Sequence, residues 1–384
     1  MIQTAVFSLL ALIIYTYIGY PIIIVLLSKI FKRSRNIDNQ FSPSVSWVVP
    51  SYNEEDIIAD KIRNLIELDY PRELLEIIVI TDGSTDKTPI IAAEFPEVKV
   101  LHEDRRGGKS AAENRAMKFV SGDIVVFNDA NTIVSRNALK EMVKHYADPI
   151  VGGVSGAKGI IVEDGDTAES KGEGLYWRYE SAIKKADSAF NSLMGAAGEL
   201  VSFRRALIVD LPEDTILDDF MQSFNMLKQG KIMVYEPEAK AEEVSSASVE
   251  EELKRKIRIA AGGWQSMSRL LFMLNVFVRP LQSWMYISHR ALRWSLTAFA
   301  LPILFLVNAF ALQNGVAFQL LFAAQIVFYS VAVFAHINRH RAMSGPILAV
   351  YYFTIMNYAV IAGFRRFIKG SQKGAWERSK RKLA

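Results

Sequence analysis

Three long stretches of the chain are apolar without a break. Residues 1–28, 294–335 and 342–364 contain no Asp, Glu, Lys or Arg over 28, 42 and 23 positions. An uncharged run of roughly 20 residues spans the ~30 Å hydrocarbon core as a helix. Each run therefore predicts membrane helix, and the longest has room for two spans with a turn at Gln313-Asn314-Gly315. The first run is expected to be a retained anchor, because no basic region precedes it, it is too long for a signal peptide, and no small-x-small site follows.

Between residues 41 and 243 the pattern changes to short apolar runs alternating with amphipathic ones. Val45-Ser46-Trp47-Val48-Val49 reads as a buried strand ended by Pro50. Residues 54–68 follow with Ile57, Ile58, Ile62, Leu65, Ile66 and Leu68 at helical spacing. Strands are then predicted over 77–80, 98–101 and 124–127, and helices over 109–119 and 220–229. A strand–helix alternation of this kind implies a mostly parallel α/β sheet with ligands beyond the carboxyl ends of its strands. The organisation expected is a membrane helix at 1–30, an α/β domain at 31–249, amphipathic interfacial helices at 250–293, membrane helices at 294–364 and a basic tail at 365–384.

Charge adds direction to this plan. The chain holds 45 Lys+Arg against 41 Asp+Glu, a net +4, and no cysteine. A disulfide scaffold, a disordered chain and a wholly soluble enzyme are excluded. Lys29, Lys32, Arg33 and Arg35 follow the first run, and basic flanks mark the cytoplasmic side, so the α/β domain is expected in the cytoplasm of a multi-pass protein of the plasma (inner) membrane. Residues 270–288 are interrupted by Arg279-Pro280 and flanked by Arg269, His289, Arg290 and Arg293, which suits helices lying in the interface. The last 20 residues carry +7 and everything before them −3. That tail also favours the cytoplasm, whereas one amino-terminal and three carboxyl-terminal crossings would put it outside. A re-entrant last segment, or a crossing near Leu270, would reconcile the two. No basic-aromatic stripe of a nucleic-acid binder is present.

The loops after the predicted strands hold Pro50-Ser51-Tyr52-Asn53-Glu54, Thr81-Asp82-Gly83-Ser84 and Asn128-Asp129-Ala130-Asn131. No G-x-G-x-x-G opens the first helix and no P-loop occurs, which argues against an ordinary dinucleotide or P-loop site. Each acidic motif has a plain reading, as a turn, a cap or a complement to a helix dipole. Three of them at successive strand ends favour a ligand. A phosphate met by Asp and Asn implies a divalent cation between them, Mg²⁺ or Mn²⁺.

Val48-Val49-Pro50-Ser51-Tyr52-Asn53-Glu54, Thr81-Asp82-Gly83-Ser84, Gly108-Lys109-Ser110-Ala111-Ala112-Glu113-Asn114, Asp129-Ala130-Asn131, Gly195-Ala196-Ala197-Gly198 and Leu217-Asp218-Asp219-Phe220 together resemble glycosyltransferase family 2, the cellulose and hyaluronan synthase superfamily with a GT-A catalytic fold. The resemblance implies an inverting transfer from a UDP-sugar to a growing polysaccharide or a lipid-linked acceptor. It implies Tyr52, Glu54 and Asp82 at the uracil and ribose, Lys109 at the ribose-phosphate region, and Asp129 with Asn131 at the diphosphate and its cation. Asp219 would be the base, with Asp218 shaping its surroundings, and Gly195 and Gly198 would bound a small-residue wall at the acceptor. Arg255-Lys256-Ile257-Arg258-Ile259 resembles the Gln-x-x-Arg-Trp motif of processive synthases, with Arg258 as a diphosphate contact. Ile259 stands where that motif has its aromatic platform; Trp264 either takes over that task or anchors at headgroup depth. Asn131 stands where the metal motif ends in a second Asp. Trp376 with Arg378 resembles the segment that gates the nucleotide site. Beyond the donor, acceptor and bilayer, a partner subunit or homo-oligomer would complete a polymer channel that so few spans cannot form. The competing reading is a non-catalytic nucleotide-binding subunit or scaffold.

Overall fold

The computed structural model describes residues 1–161, 168–244, 249–339, 343 and 345–372. Two compact units emerge, one of residues 28–161 and 180–244, the other of residues 1–27, 168–179, 249–339 and 345–371.

The first unit is built on a sheet that, among the described residues, has eight strands: β1 Val45–Ser51, β2 Leu75–Asp82, β3 Val98–Glu103, β4 Ile124–Phe127, β5 Thr132–Val134, β6 Val151–Ile161, β7 Val201–Arg204 and β8 Ile232–Val244. Their order is β3-β2-β1-β4-β7-β6-β8-β5. β1 pairs in parallel with β2 and β4, β2 with β3, and β6 with β8. β7 is antiparallel to both β4 and β6, and β5 to β8. The α/β class and the GT-A pattern of a mostly parallel sheet are as expected. Every residue of β1 and β4 is buried, which is why both read as unbroken apolar runs rather than alternations. Trp47, Val49, Val79 and Val126 pack with Ile58, Ile62, Leu139 and Met142 from the helices Ile58–Ile66 and Ala138–Val143 in one core.

Two of the boundaries that differ from the pattern-based expectation have a clear physical cause. β1 continues through Pro50, because its ladder with β4 ends at Val48↔Phe127 while that with β2 continues. With one neighbour left, a residue lacking an N–H is tolerated. The helix expected from residue 54 begins at Ile58. Asn53 has a φ of +53°, and the Glu54 and Glu55 N–H groups donate to Thr88 Oγ1 at 2.8 Å and Asp86 Oδ2 at 3.1 Å. Those residues join the loop after β1 to the loop after β2.

In the second unit three helices are long and apolar enough to cross a membrane, Ile2–Ile30, Val316–Ile337 and Gly345–Ile368. The 42-residue run divides at Leu312–Asn314, as predicted. Its first half, Leu296–Ala309, has only 14 residues, about 21 Å of helix, which is short of the hydrocarbon thickness. It reaches spanning length together with Pro280–Ala291, to which it is joined at a 54° bend. Residues 280–291, expected in the interface, thus form one arm of a bent pair.

Small residues let these helices meet closely. A Cβ on Gly363 would lie 2.6 Å from Ala260 Cβ, and one on Gly263 2.6 Å from the Trp294 ring. Polar contacts tie the apolar helices at Thr16–Thr297 (3.0 Å), Tyr17–Asn357 (2.6 Å) and Asn308–Gln325 (3.0 Å). Arg341 and the tail from Lys373, including Trp376 and Arg378, lie outside the described residues.

Candidate active site

The loops after β1, β2 and β3 are fastened to one another. Asp82 is almost fully buried, and its two carboxylate oxygens accept N–H bonds from Gly107 (3.0 Å) and Gly108 (2.7 Å). Arg115 donates to Thr81 O at 2.8 Å and lies 3.8 Å from Asp82. Asp82 thereby sets the start of the helix Lys109–Ala116, where Gly108 takes a φ of +95°. Gly83, at φ +68°, admits the chain opposite: a Cβ there would be 2.7 Å from Arg106 Cβ. Arg106 in turn lays its guanidinium over the Tyr52 ring, 3.7 Å from the centroid.

The first residue of that helix is the hub of the charged cluster. Lys109 Nζ donates to Asp129 Oδ1 at 2.8 Å and lies 3.3 Å from Asp218 Oδ2 and 3.9 Å from Glu113 Oε1. Burial alone would depress its pKa. The charges of Asp129, Asp218, Glu113 and Asp219 outweigh that and hold it well above the usual lysine value. Asp129 keeps about a third of its side chain exposed (36%), the position of a carboxylate still open to a ligand.

Asp218 and Asp219 form the first turn of the helix Asp218–Lys228. Burial, then the charge of Asp218, raises the Asp219 pKa to about 7, against the opposing effects of Lys109 and the Phe220 N–H. The turn is locked to the glycine loop: Ser223 Oγ donates to Asp219 O (2.7 Å) and accepts the Ala196 N–H (3.0 Å). Gly195 has a φ of +91°, and a Cβ there would strike the Phe220 ring at 2.3 Å. At Gly198 a Cβ would stand 3.2 Å from Lys109 Nζ and 3.5 Å from Asp219 Oδ2. The missing side chain leaves the space in front of the carboxylate open.

Three residues of this region carried no assigned role in the sequence. Glu113 lies one turn beyond Lys109, and Arg106 covers Tyr52. Lys61 is buried in the helix Ile58–Ile66, where it donates to Asn128 Oδ1 and, at 2.8 Å, to Thr132 O. Burial lowers its pKa to about 7, the charge of Asp129 acting against the shift. Thr132 Oγ1 donates to Asp129 O at 2.9 Å, so Lys61 braces the loop that carries Asp129 and Asn131.

Tyr52, Glu54, Asp82, Lys109, Asp129, Asn131, Gly195, Gly198, Asp218 and Asp219 all belong to the sheet-based unit; Arg258 and Trp264 belong to the helical one. Both sit on the helix Val249–Arg269. Trp264 packs on Phe364 and Phe299, with ring centroids at 4.4 Å and 6.4 Å. Arg255, which replaces the motif's Gln, pairs with Glu252 at 2.9 Å.

Residues 46–211 match the family model for glycosyl transferase family 2. The beta-monoglucosyldiacylglycerol synthase of Nostoc sp. is 29% identical over 66% of this chain and 60% of its own length. The poly-beta-1,6-N-acetyl-D-glucosamine synthase of Staphylococcus aureus is 28% identical over 59% of this chain and 56% of its own. The chain thus spans about three-fifths of the length of these relatives. Among solved structures, the mannosyltransferase of Pyrobaculum calidifontis, in complex with GDP-Man and Mn²⁺, superposes with a TM-score of 0.73 over 96% of this chain and 99% of its own, at 24% identity.

Proposed function

We propose that the chain, whose residues 46–211 match the family model for glycosyl transferase family 2, is a membrane-bound inverting enzyme of that family passing a sugar from a UDP-sugar to a lipid-linked or polysaccharide acceptor. One observation carries the reading. Asp219, a carboxylate with its pKa raised to about 7, faces the gap left by Gly198 beside the buried cation of Lys109. A base of that strength matches proton removal from a hydroxyl near neutral pH.

In the proposed step Asp219 takes the proton of the acceptor hydroxyl as its oxygen forms a bond to the anomeric carbon. The bond from that carbon to the diphosphate oxygen breaks, its electron pair leaving with the diphosphate. Lys109, 2.8 Å from Asp129, is placed to meet that charge. Asp129 and Asn131 offer hard oxygens, and the described residues contain no cluster of three or more His, Asp or Glu able to hold a metal. Such a pair would hold Mg²⁺ or Mn²⁺. When bound, the cation neutralises charge on the leaving group. A single-transfer enzyme working on a membrane lipid is favoured within this reading, because the described residues offer up to four spans and Ile259 replaces the aromatic platform. The basic flank at Lys29, Lys32 and Arg33 supports a cytoplasmic catalytic unit. The non-catalytic alternative leaves the meeting of Asp219, Lys109 and Gly198 without a purpose.

Purified full-length protein in detergent, given UDP-glucose, UDP-N-acetylglucosamine or GDP-mannose with and without EDTA, should release UDP and lose the activity to chelator. Release of GDP alone would overturn the UDP assignment. Indifference to EDTA would overturn the cation. Because Asp219 accepts a proton only when ionised, turnover should climb as pH rises through about 7 and level off above it. A flat rate from acid to alkaline pH would remove Asp219 as the base.

A further inference from the structure

Lys61, Asn128 and Thr132 form a polar hub in which no side chain is more than 1% exposed. An ammonium group has three N–H bonds to give, and those of Lys61 go to Asn128 Oδ1, Thr132 O at 2.8 Å and Thr132 Oγ1 at 3.4 Å. All three acceptors belong to the segment that runs from the end of β4 into β5.

The Asn128 amide is fully used as well. Its oxygen faces Lys61, one N–H goes to Thr132 Oγ1 at 2.8 Å, and the other goes to Glu199 O. Lys61 can only donate and a main-chain carbonyl can only accept, so a turned amide would set donor against donor and acceptor against acceptor. Lys61 therefore dictates that Asn128 points an N–H at Glu199.

That bond joins two segments with different tasks. The antiparallel ladder of β4 with β7 ends at Phe127↔Val201, and beyond it the Asn128 side chain carries the connection on. On one side stand Asp129 and Asn131, the former tied to the hub where Thr132 Oγ1 donates to Asp129 O at 2.9 Å. On the other, Glu199 follows Gly198, where a Cβ would stand 3.5 Å from Asp219 Oδ2. The Glu199 carboxylate accepts from Lys158 of β6 at 2.7 Å, so the glycine wall is anchored at its back and set at its front by Asn128.

We infer that Asn128 is a positioning residue for the transfer: oriented by Lys61, its amide fixes the spacing between the segment that meets the diphosphate and the wall that the acceptor approaches. The inference rests on the proposed reaction, in which the acceptor oxygen must come within about 3 Å of the anomeric carbon. Slack of about 1 Å between the two segments costs rate and leaves donor affinity intact.

Hydrogen exchange of the full chain in detergent reads the link without turnover. Mn²⁺ with UDP should slow exchange at residues 128–134 of the wild type and also at residues 195–200. Asn128→Asp keeps an oxygen towards Lys61 and has no N–H for Glu199, so its protection should remain at 128–134 and vanish at 195–200. Protection confined to 128–134 in the wild type, or still reaching 195–200 in the variant, overturns the inference. Protection at neither segment of the wild type overturns the donor site itself, and this inference with it. The wild-type measurement decides even where the variant does not fold. In nucleotide release, Asn128→Asp should lower kcat about thirtyfold with the donor KM within about twofold of wild type. Thr132→Val loosens Asp129 instead and should raise the donor KM more than it lowers kcat. Unchanged kcat in Asn128→Asp, or a loss that appears wholly in the donor KM, also overturns the inference.

Discussion

Asp219→Asn should abolish transfer, lowering nucleotide release about 10³-fold or more, while UDP binds with nearly unchanged affinity. The amide is isosteric and keeps the turn that Ser223 ties to Ala196, so the acceptor wall stays in place. It cannot take up a proton. Removing a carboxylate that burial and Asp218 already push towards its neutral form also relieves like-charge repulsion, so the variant should melt no lower than the wild type. Calorimetric titration with UDP beside the release assay makes the distinction. Activity within tenfold of wild type would end the assignment, and lost UDP binding would move Asp219 from chemistry to donor binding.

Lys109→Met should be the most damaging substitution for the fold of the site. One cation stands among Asp129, Asp218 and Glu113 at 2.8, 3.3 and 3.9 Å. Methionine fills the volume and leaves buried carboxylates uncompensated, a loss of about 3 kcal/mol. The sign of the pH dependence follows. The Lys109 pKa is raised in the folded protein, so its stabilisation is fully present at every pH below its unfolded value and is unchanged across the working range. In the variant, Asp219, already raised to about 7 and now without the cation that lowers its pKa, must ionise without a partner as pH rises, or stay protonated. The deficit in Tm should therefore widen from about pH 5 to about pH 8. A constant deficit would mean that the packing of the side chain, and not its charge, is what the site needs.

Much of this site was legible before the structure, for reasons that can be located. β1 and β4 are buried on both faces, and their Val- and Ile-rich runs announce them. Lys109, Asp129, Asp219 and Gly198 come from motifs far apart in the chain, and the resemblance alone brought them together; the sheet order explains how. Lys61 carried a readable signal, since it stands between Ile58 and Ile62 on the buried face of its helix, where a lysine needs partners. Glu113 carried one too, at four residues from Lys109. Arg106 had none, because its stacking on Tyr52 depends on the turn opposite Gly83. β6 was hidden for a physical reason: close approach to Met233 and Ala239 places glycines at 153 and 156, which erases the apolar alternation that marks a strand. The helix boundary at Ile58 was missed because hydrogen bonds across two loops override local propensity.

The place of β7 between β4 and β6 also governs how the protein is made. β4, buried throughout, leaves the ribosome about 75 residues before β7, roughly 4–15 s at ordinary elongation rates. During that interval an apolar edge has no neighbour to pair with and is a template for association between nascent chains. The yield of correctly folded protein therefore depends on how quickly residues 128–200 are translated, and on whatever shields the half-built sheet until they are.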